Sequence, residues 1–112
     1  MKFNYIYGKQ AEQYDYLYIP KAFMKEDPFK TMTASAKIMY AVLMEKQQKS
    51  VEMGWIDEKN HVYILANVIA IGAELNWDET EALAAVEELE RFGLVEIIEK
   101  SEDLKLYLKR FI

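Results

Sequence analysis

Residues 67–108 are NVIAIGAELNWDETEALAAVEELERFGLVEIIEKSEDLKLYL, a run that holds two helix starts and two strand patterns in succession. Asp78 has the side chain of a helix N-cap, and Glu79 and Glu81 follow it as an acidic first turn. The spacing of Ala82, Val86 and Leu89, with Ala85 beside them and Phe92 at the end, predicts a helix over 79–92 with one buried face. Gly93 stands where helices commonly end in the left-handed conformation. Leu94–Ile98 then reads as a strand, Glu99–Asp103 as a polar tip and Leu104–Leu108 as an alternating return strand. Upstream, Asn67 caps a short helix over Val68–Leu75, and Asn76-Trp77 supplies the turn to the next one. Gly72 inside that short helix costs about 1 kcal/mol relative to alanine, unless close packing requires the missing side chain.

Working outward, Thr33 predicts the N-cap of a long helix over Ala34–Lys49. Its centre, Ile38 to Met44, is apolar around most of its circumference, so it is buried on several sides or meets a partner as well as its own core. Gly54 to Ile64 reads as a short hairpin turning at Asp57 to Asn60. Asp57 and Glu58 are expected to cap that turn through backbone hydrogen bonds. Pro20 opens a short helix through Ala22, Phe23 and Met24; Pro28 ends it, and Phe29 and Met32 turn back to the core. Residues 1–16 read as an N-terminal arm and 17–112 as one domain. Helix, strand, helix, turn, helix and hairpin, in that order, describe a winged helix-turn-helix: an α+β fold, mainly α, with short β-hairpins.

Composition narrows the function. The chain has 112 residues, 52% of them hydrophobic and 13% aromatic, which suits one ordered domain rather than a disordered chain. It has no cysteine and one histidine, His61, in a predicted turn, so neither a metal site nor a cofactor is expected. No Ser-His-Asp arrangement or glycine-rich phosphate loop stands out, and the expectation is not an enzyme. The first twenty residues lack the apolar core of a signal peptide, and the apolar runs are too short to cross a bilayer. A cytoplasmic protein without membrane contact is expected. Net charge is -5, and it is unevenly spread. Only Arg91 and Lys100 oppose the carboxylates between Glu74 and Asp103, whereas Lys21, Lys25, Lys30, Lys37, Lys46 and Lys49 outnumber the acids between Pro20 and Ser50. A molecule polarised in this way should not offer both halves to one partner.

Several motifs resemble the N-terminal domain of the replication initiator A family of Gram-positive plasmids. They are Tyr18-Ile19-Pro20-Lys21, Ala36-Lys37 with Tyr40 and Leu43, and Gly54-Trp55-Ile56-Asp57-Glu58 followed by Val62-Tyr63-Ile64. Ala82, Glu88-Leu89-Glu90 and Gly93-Leu94-Val95-Glu96 complete the likeness, which spans about residues 17 to 108. The Trp-Ile-Asp-Glu hairpin is its most specific part. The resemblance implies a winged helix that binds repeated double-stranded DNA sites at a plasmid origin as a dimer, at the front of a longer protein. The chain therefore reads as an excised domain or a stand-alone relative. It departs from the family in the recognition helix, where lysines are usual at positions matching Glu79, Glu81, Ala84 and Glu87. It departs again in the wing, basic and glycine-rich in the family but Glu99-Lys100-Ser101-Glu102-Asp103 here. Glutamates in place of lysines repel the phosphate backbone as well as losing its attraction.

Three readings follow. In the first, Asp78, Glu79, Glu81, Ala84, Glu88 and Arg91 form a DNA-recognition surface, with Lys100 and Ser101 in the wing. In the second, the same acidic helix binds a basic protein surface or mimics DNA. In the third, the domain serves only to dimerise, and the activity belongs to C-terminal sequence absent here. Under any of the three a homodimer is expected, with Tyr5, Tyr7, Tyr14 and Tyr16 of the arm and Tyr40 as candidate contacts, since tyrosine suits surfaces apolar at one end and wet at the other. The alternative is an arm ordered against its own domain. The six lysines from Lys21 to Lys49 offer a basic patch for DNA or for the acidic half of a second copy, beside their ordinary role in solubility.

Overall fold

The structure is a computed structural model, described for residues 1–8 and 15–110. Its elements follow the expected order: α1 (Ala22–Lys25), a 3-10 turn (Phe29–Thr31), α2 (Ala34–Glu52), β1 (Ile64–Ala66), α3 (Val68–Glu74), α4 (Glu79–Arg91), β2 (Val95–Lys100) and β3 (Leu104–Leu108). Each long helix begins where its cap was read. The Thr33 side chain accepts from the Ala36 N–H, Asn67 from Ala70 and Asp78 from Glu81. Gly93 closes α4 at φ 82°.

Helix α2 lies at the centre, and its own chain covers it on several sides. Ala36, Met39, Tyr40, Ala41, Val42 and Leu43 are all buried, which accounts for a sequence with almost no polar face. Phe23, Ile64, Ile71, Ala82, Val86, Leu89 and Leu106 pack into the same core. Met32 is buried and Phe29 packs against its edge, so the segment after Pro28 does turn inward. A core of this kind, dominated by aliphatic side chains with two aromatic rings, supplies the apolar burial a domain of this size needs.

The sheet has three antiparallel strands in the order β1-β3-β2. The hairpin expected over 54–64 is corrected here. Its turn forms, but only an isolated bridge joins Ile56 to Val62. Ile64–Ala66 pairs instead with Leu104–Leu106 of β3. The buried faces of Ile64 and Leu106 decide this: both side chains enter the core, and that register keeps them on one side of the sheet. In the β2–β3 ladder, Ile97 faces Leu106 and Glu99 faces Lys105, leaving Ile98 as an extra residue in a bulge.

Candidate nucleic-acid interface

Helices α3 and α4 form the helix-turn-helix. A Cβ on Gly72 would lie 2.7 Å from the Ala82 Cβ, so this glycine lets the two helices touch. The Trp77 N–H donates to the Gly72 carbonyl at 2.8 Å, and Asn76 takes φ 61°, which asparagine tolerates better than most residues. The turn is therefore fixed by local backbone chemistry before Asp78 starts α4.

Which way α4 points its carboxylates matters most. Ala82, Ala85, Val86 and Leu89 face the core. Glu88, expected on the recognition surface, instead reaches the start of α2. Its two carboxylate oxygens accept from the Thr33 N–H at 2.8 Å and from the Thr33 hydroxyl at 2.9 Å. Glu81 accepts from the Ser35 hydroxyl at 3.1 Å. Two negative side chains thus sit at the positive end of a 19-residue helix, where its unpaired N–H groups favour them. The outward line of α4 is Thr80, Ala84, Glu87 and Arg91, all exposed and spaced to share one face, with Leu83 beside it at 37% exposure. That line carries one acid and one base. Glu79 and Glu90 are exposed on its flank, and Asp78 is committed to its cap.

The wing is the β2–β3 hairpin. Lys100 closes its ladder opposite Leu104, and the Ser101 hydroxyl donates to the Asp103 carbonyl at 2.9 Å. Both residues are exposed, as are Glu99, Glu102 and Asp103.

The six lysines do not form one patch. Lys21, Lys25, Lys30 and Lys37 surround α1 and the first half of α2, where Lys30 pairs with Asp27 at 3.5 Å and the Lys37 ammonium lies 3.7 Å from the Met24 sulfur. Lys46 and Lys49 sit further along α2, roughly 14 Å and 18 Å from Lys37 at about 1.5 Å per residue. Among the tyrosines, Tyr5, Tyr7 and Tyr16 are 81%, 62% and 51% exposed, and Tyr14 lies outside the described residues. Tyr40 is corrected from a subunit contact to a core residue. It is 1% exposed, edge-on to Phe23, with its hydroxyl donating to the Lys109 carbonyl.

Reading the sequence missed a polar and aromatic array on the outer sheet face. Trp55 and Tyr63 stack at 6.4 Å, and the Lys105 ammonium lies 4.6 Å from the Tyr63 ring centre. The Tyr107 hydroxyl donates to Asp57, whose other oxygen accepts the Lys59 and His61 N–H groups at 2.9 Å. Tyr107 rises to about 12 and Asp57 falls, first because of this shared hydrogen bond. The alternation of Lys105 and Tyr107 with Leu104, Leu106 and Leu108 was the available signal.

Fold and surface together define a winged-helix domain of the helix-turn-helix class. Its sequence matches the family profile described as Replication initiator protein A (RepA) N-terminus over residues 15–112, and the chain belongs to that family. Solved structures share the fold. One described as "N-Terminal domain of DNA binding protein" superposes with a TM-score of 0.78 at 24% identity, covering 99% of this chain and 86% of that one. "Structure of Rep-DNA complex" gives 0.78 and 24%, covering 97% and 85%, and "Structure of MDR initiator" gives 0.74 and 27%, covering 96% and 86%. No curated protein matches in sequence.

Proposed function

We propose that this domain binds double-stranded DNA at a plasmid origin, with α4 entering the major groove and the wing lying along the backbone. The observation carrying this reading is that Glu88 and Glu81 accept hydrogen bonds from Thr33 and Ser35 at the start of α2. That draws both carboxylates, Glu88 half-buried and Glu81 still exposed, aside from the line of Thr80, Ala84, Glu87 and Arg91, which carries one acid and one base. Arg91, Lys100 and the Ser101 hydroxyl then supply the polar contacts. The work is recognition and needs no catalytic group. Membership of the family and its likeness to a Rep-DNA complex support the reading. The exposed aromatic arm favours a homodimer, since Phe3, Tyr5, Ile6 and Tyr7 are each at least 61% exposed and would gain by being covered.

The test is titration of the purified chain against duplex fragments carrying origin repeats, at several salt concentrations. Selective binding that weakens with salt is expected, with a slope of about 0.9 per phosphate neutralised. No binding to any duplex at low salt rejects the reading. The exposed carboxylates of Glu79, Glu87 and Glu90, with those of the wing tip, favour a second one in which α4 engages a basic protein surface. In that case Glu87→Lys would weaken the partner complex instead of strengthening duplex binding.

A further inference from the structure

A cavity of about 380 Å³ opens between α2, the segment leading into β1, the start of β2 and the C-terminal end of β3, at the base of the β2–β3 hairpin and away from α4 and the wing tip. Its size falls in the range of roughly 300–1,000 Å³ usual for small-molecule sites. Met44, Val62 and Leu108 give it apolar walls. Gln47 also lines it, and the Gln47 Oε1 is buried without a hydrogen-bond partner among the described residues. A buried acceptor left unpaired is costly, and such an atom usually marks a missing partner. At the mouth stand Lys109 and Arg110. Lys109 is 3.8 Å from Glu96, the carboxylate that also lines the cavity, so the rim carries two cations against one acid. The remaining wall is aromatic. His61 and Tyr107 meet edge to face at 5.5 Å, and the Asp57 hydrogen bond to Tyr107 holds that wall in place before anything binds.

An occupant must therefore bring three features in one molecule. It needs an N–H donor for Gln47, a flat or apolar body for the walls, and an anion for Lys109 and Arg110. A fatty acid meets the last two and leaves Gln47 unpaired. An inorganic anion meets only the last. The geometry points to a nucleotide: an amino-bearing base turned inward toward Gln47 and the Tyr107–His61 wall, with its phosphate at the Lys109–Arg110 rim. Base stacking on an aromatic wall and phosphate capture by cations are the ordinary elements of nucleotide recognition. The phosphate displaces Glu96 from Lys109. This site stands apart from α4, and its existence does not depend on duplex binding there.

The source of the nucleotide is either a free molecule or an unpaired residue of a single strand. Deoxyadenosine 5′-monophosphate, a six-residue oligodeoxyadenylate and inorganic phosphate, each titrated into the whole isotope-labelled chain, separate the two. With either nucleotide source, the Gln47 side-chain amide and the Lys109 and Arg110 backbone amides shift together in the amide spectrum. Saturation by the mononucleotide assigns a free ligand; saturation by the oligonucleotide alone assigns a strand. Inorganic phosphate binds at least about tenfold more weakly, the factor expected for losing one buried hydrogen bond and a stacked ring. Gln47→Leu weakens the nucleotide by about tenfold and leaves phosphate unchanged. Arg110→Ala, at an exposed position, weakens both and keeps the test open if the Gln47 variant does not fold. Absence of shifts with all three probes overturns the proposal. So does phosphate binding as tightly as nucleotide, or shifts confined to the rim.

Discussion

Asp57 takes two backbone N–H groups and the Tyr107 hydroxyl, and that single carboxylate holds a loop against a strand. Its lowered pKa means the stabilisation is present above the ordinary carboxylate range and is lost as pH falls through the folded value. The raised pKa of Tyr107 works at the other end: its contribution is intact below about 10, the ordinary tyrosine value, and is lost as pH rises through about 12. In Tyr107→Phe, the stability deficit relative to wild type should be largest near neutrality and narrow on acidification. Alkaline absorbance titration should lose a phenol ionising near 12. A deficit that is constant across pH would show that the bond carries no linkage. Gly72 is decided by distance. Alanine there gains about 1 kcal/mol of helix propensity but meets the Ala82 Cβ on a helix that cannot swing aside. Gly72→Ala should lose roughly 1–2 kcal/mol net in denaturant unfolding. Adding Ala82→Gly should return part of that loss, as coupled neighbours do.

At the scale of elements, α4 behaves as two helices in one. Glu88 belongs to the start of α2 and Glu87 belongs to solvent, although the two are adjacent in sequence. Glu88→Lys removes two charge-assisted bonds to Thr33 and puts a cation at a helix N-terminus, so unfolding free energy should fall by roughly 1–2 kcal/mol. Glu87→Lys should change stability by less than about 0.5 kcal/mol. Under the proposed function it should also raise duplex affinity and steepen the salt slope by about 0.9. Equal effects from the two substitutions would contradict the split. The contrast also explains what the chain made legible. Thr33, Asn67, Asp78 and Gly93 act on backbone within a few residues, so the element ends could be read locally. The long-range partner of Ile64–Ala66 could not, because a short apolar run looks alike in a hairpin and at a sheet edge. Periodicity told which side of α4 is buried, but not that Thr33 and Ser35 border it. For the same reason Glu88, half-buried against Thr33, read as surface charge, and the Glu81 contact to Ser35 could not be foreseen. Tyr40 misled because aromatic residues suit cores and interfaces equally.

Over the whole molecule, the radius of gyration is 15.7 Å, above the roughly 13 Å expected for a compact chain of this length. Residues 1–8 are all exposed. If the arm joins two copies, removing residues 1–8 should halve the mass measured by light scattering at low salt; a truncated chain that keeps its dimer mass would place the contact elsewhere. An exposed aromatic arm carries a hazard, because extended segments seek unpaired strand edges. Strand β2 is one of the sheet's two edge strands, the other being the three-residue β1, and the extra residue at Ile98 breaks the regular row of donors and acceptors in β2 beside the charged Glu99 and Lys100. Successive copies meeting that strand find no continuous ladder to extend. One irregular position on β2 and the brevity of β1 thus let the protein display sticky tyrosines while denying runaway polymerisation a template.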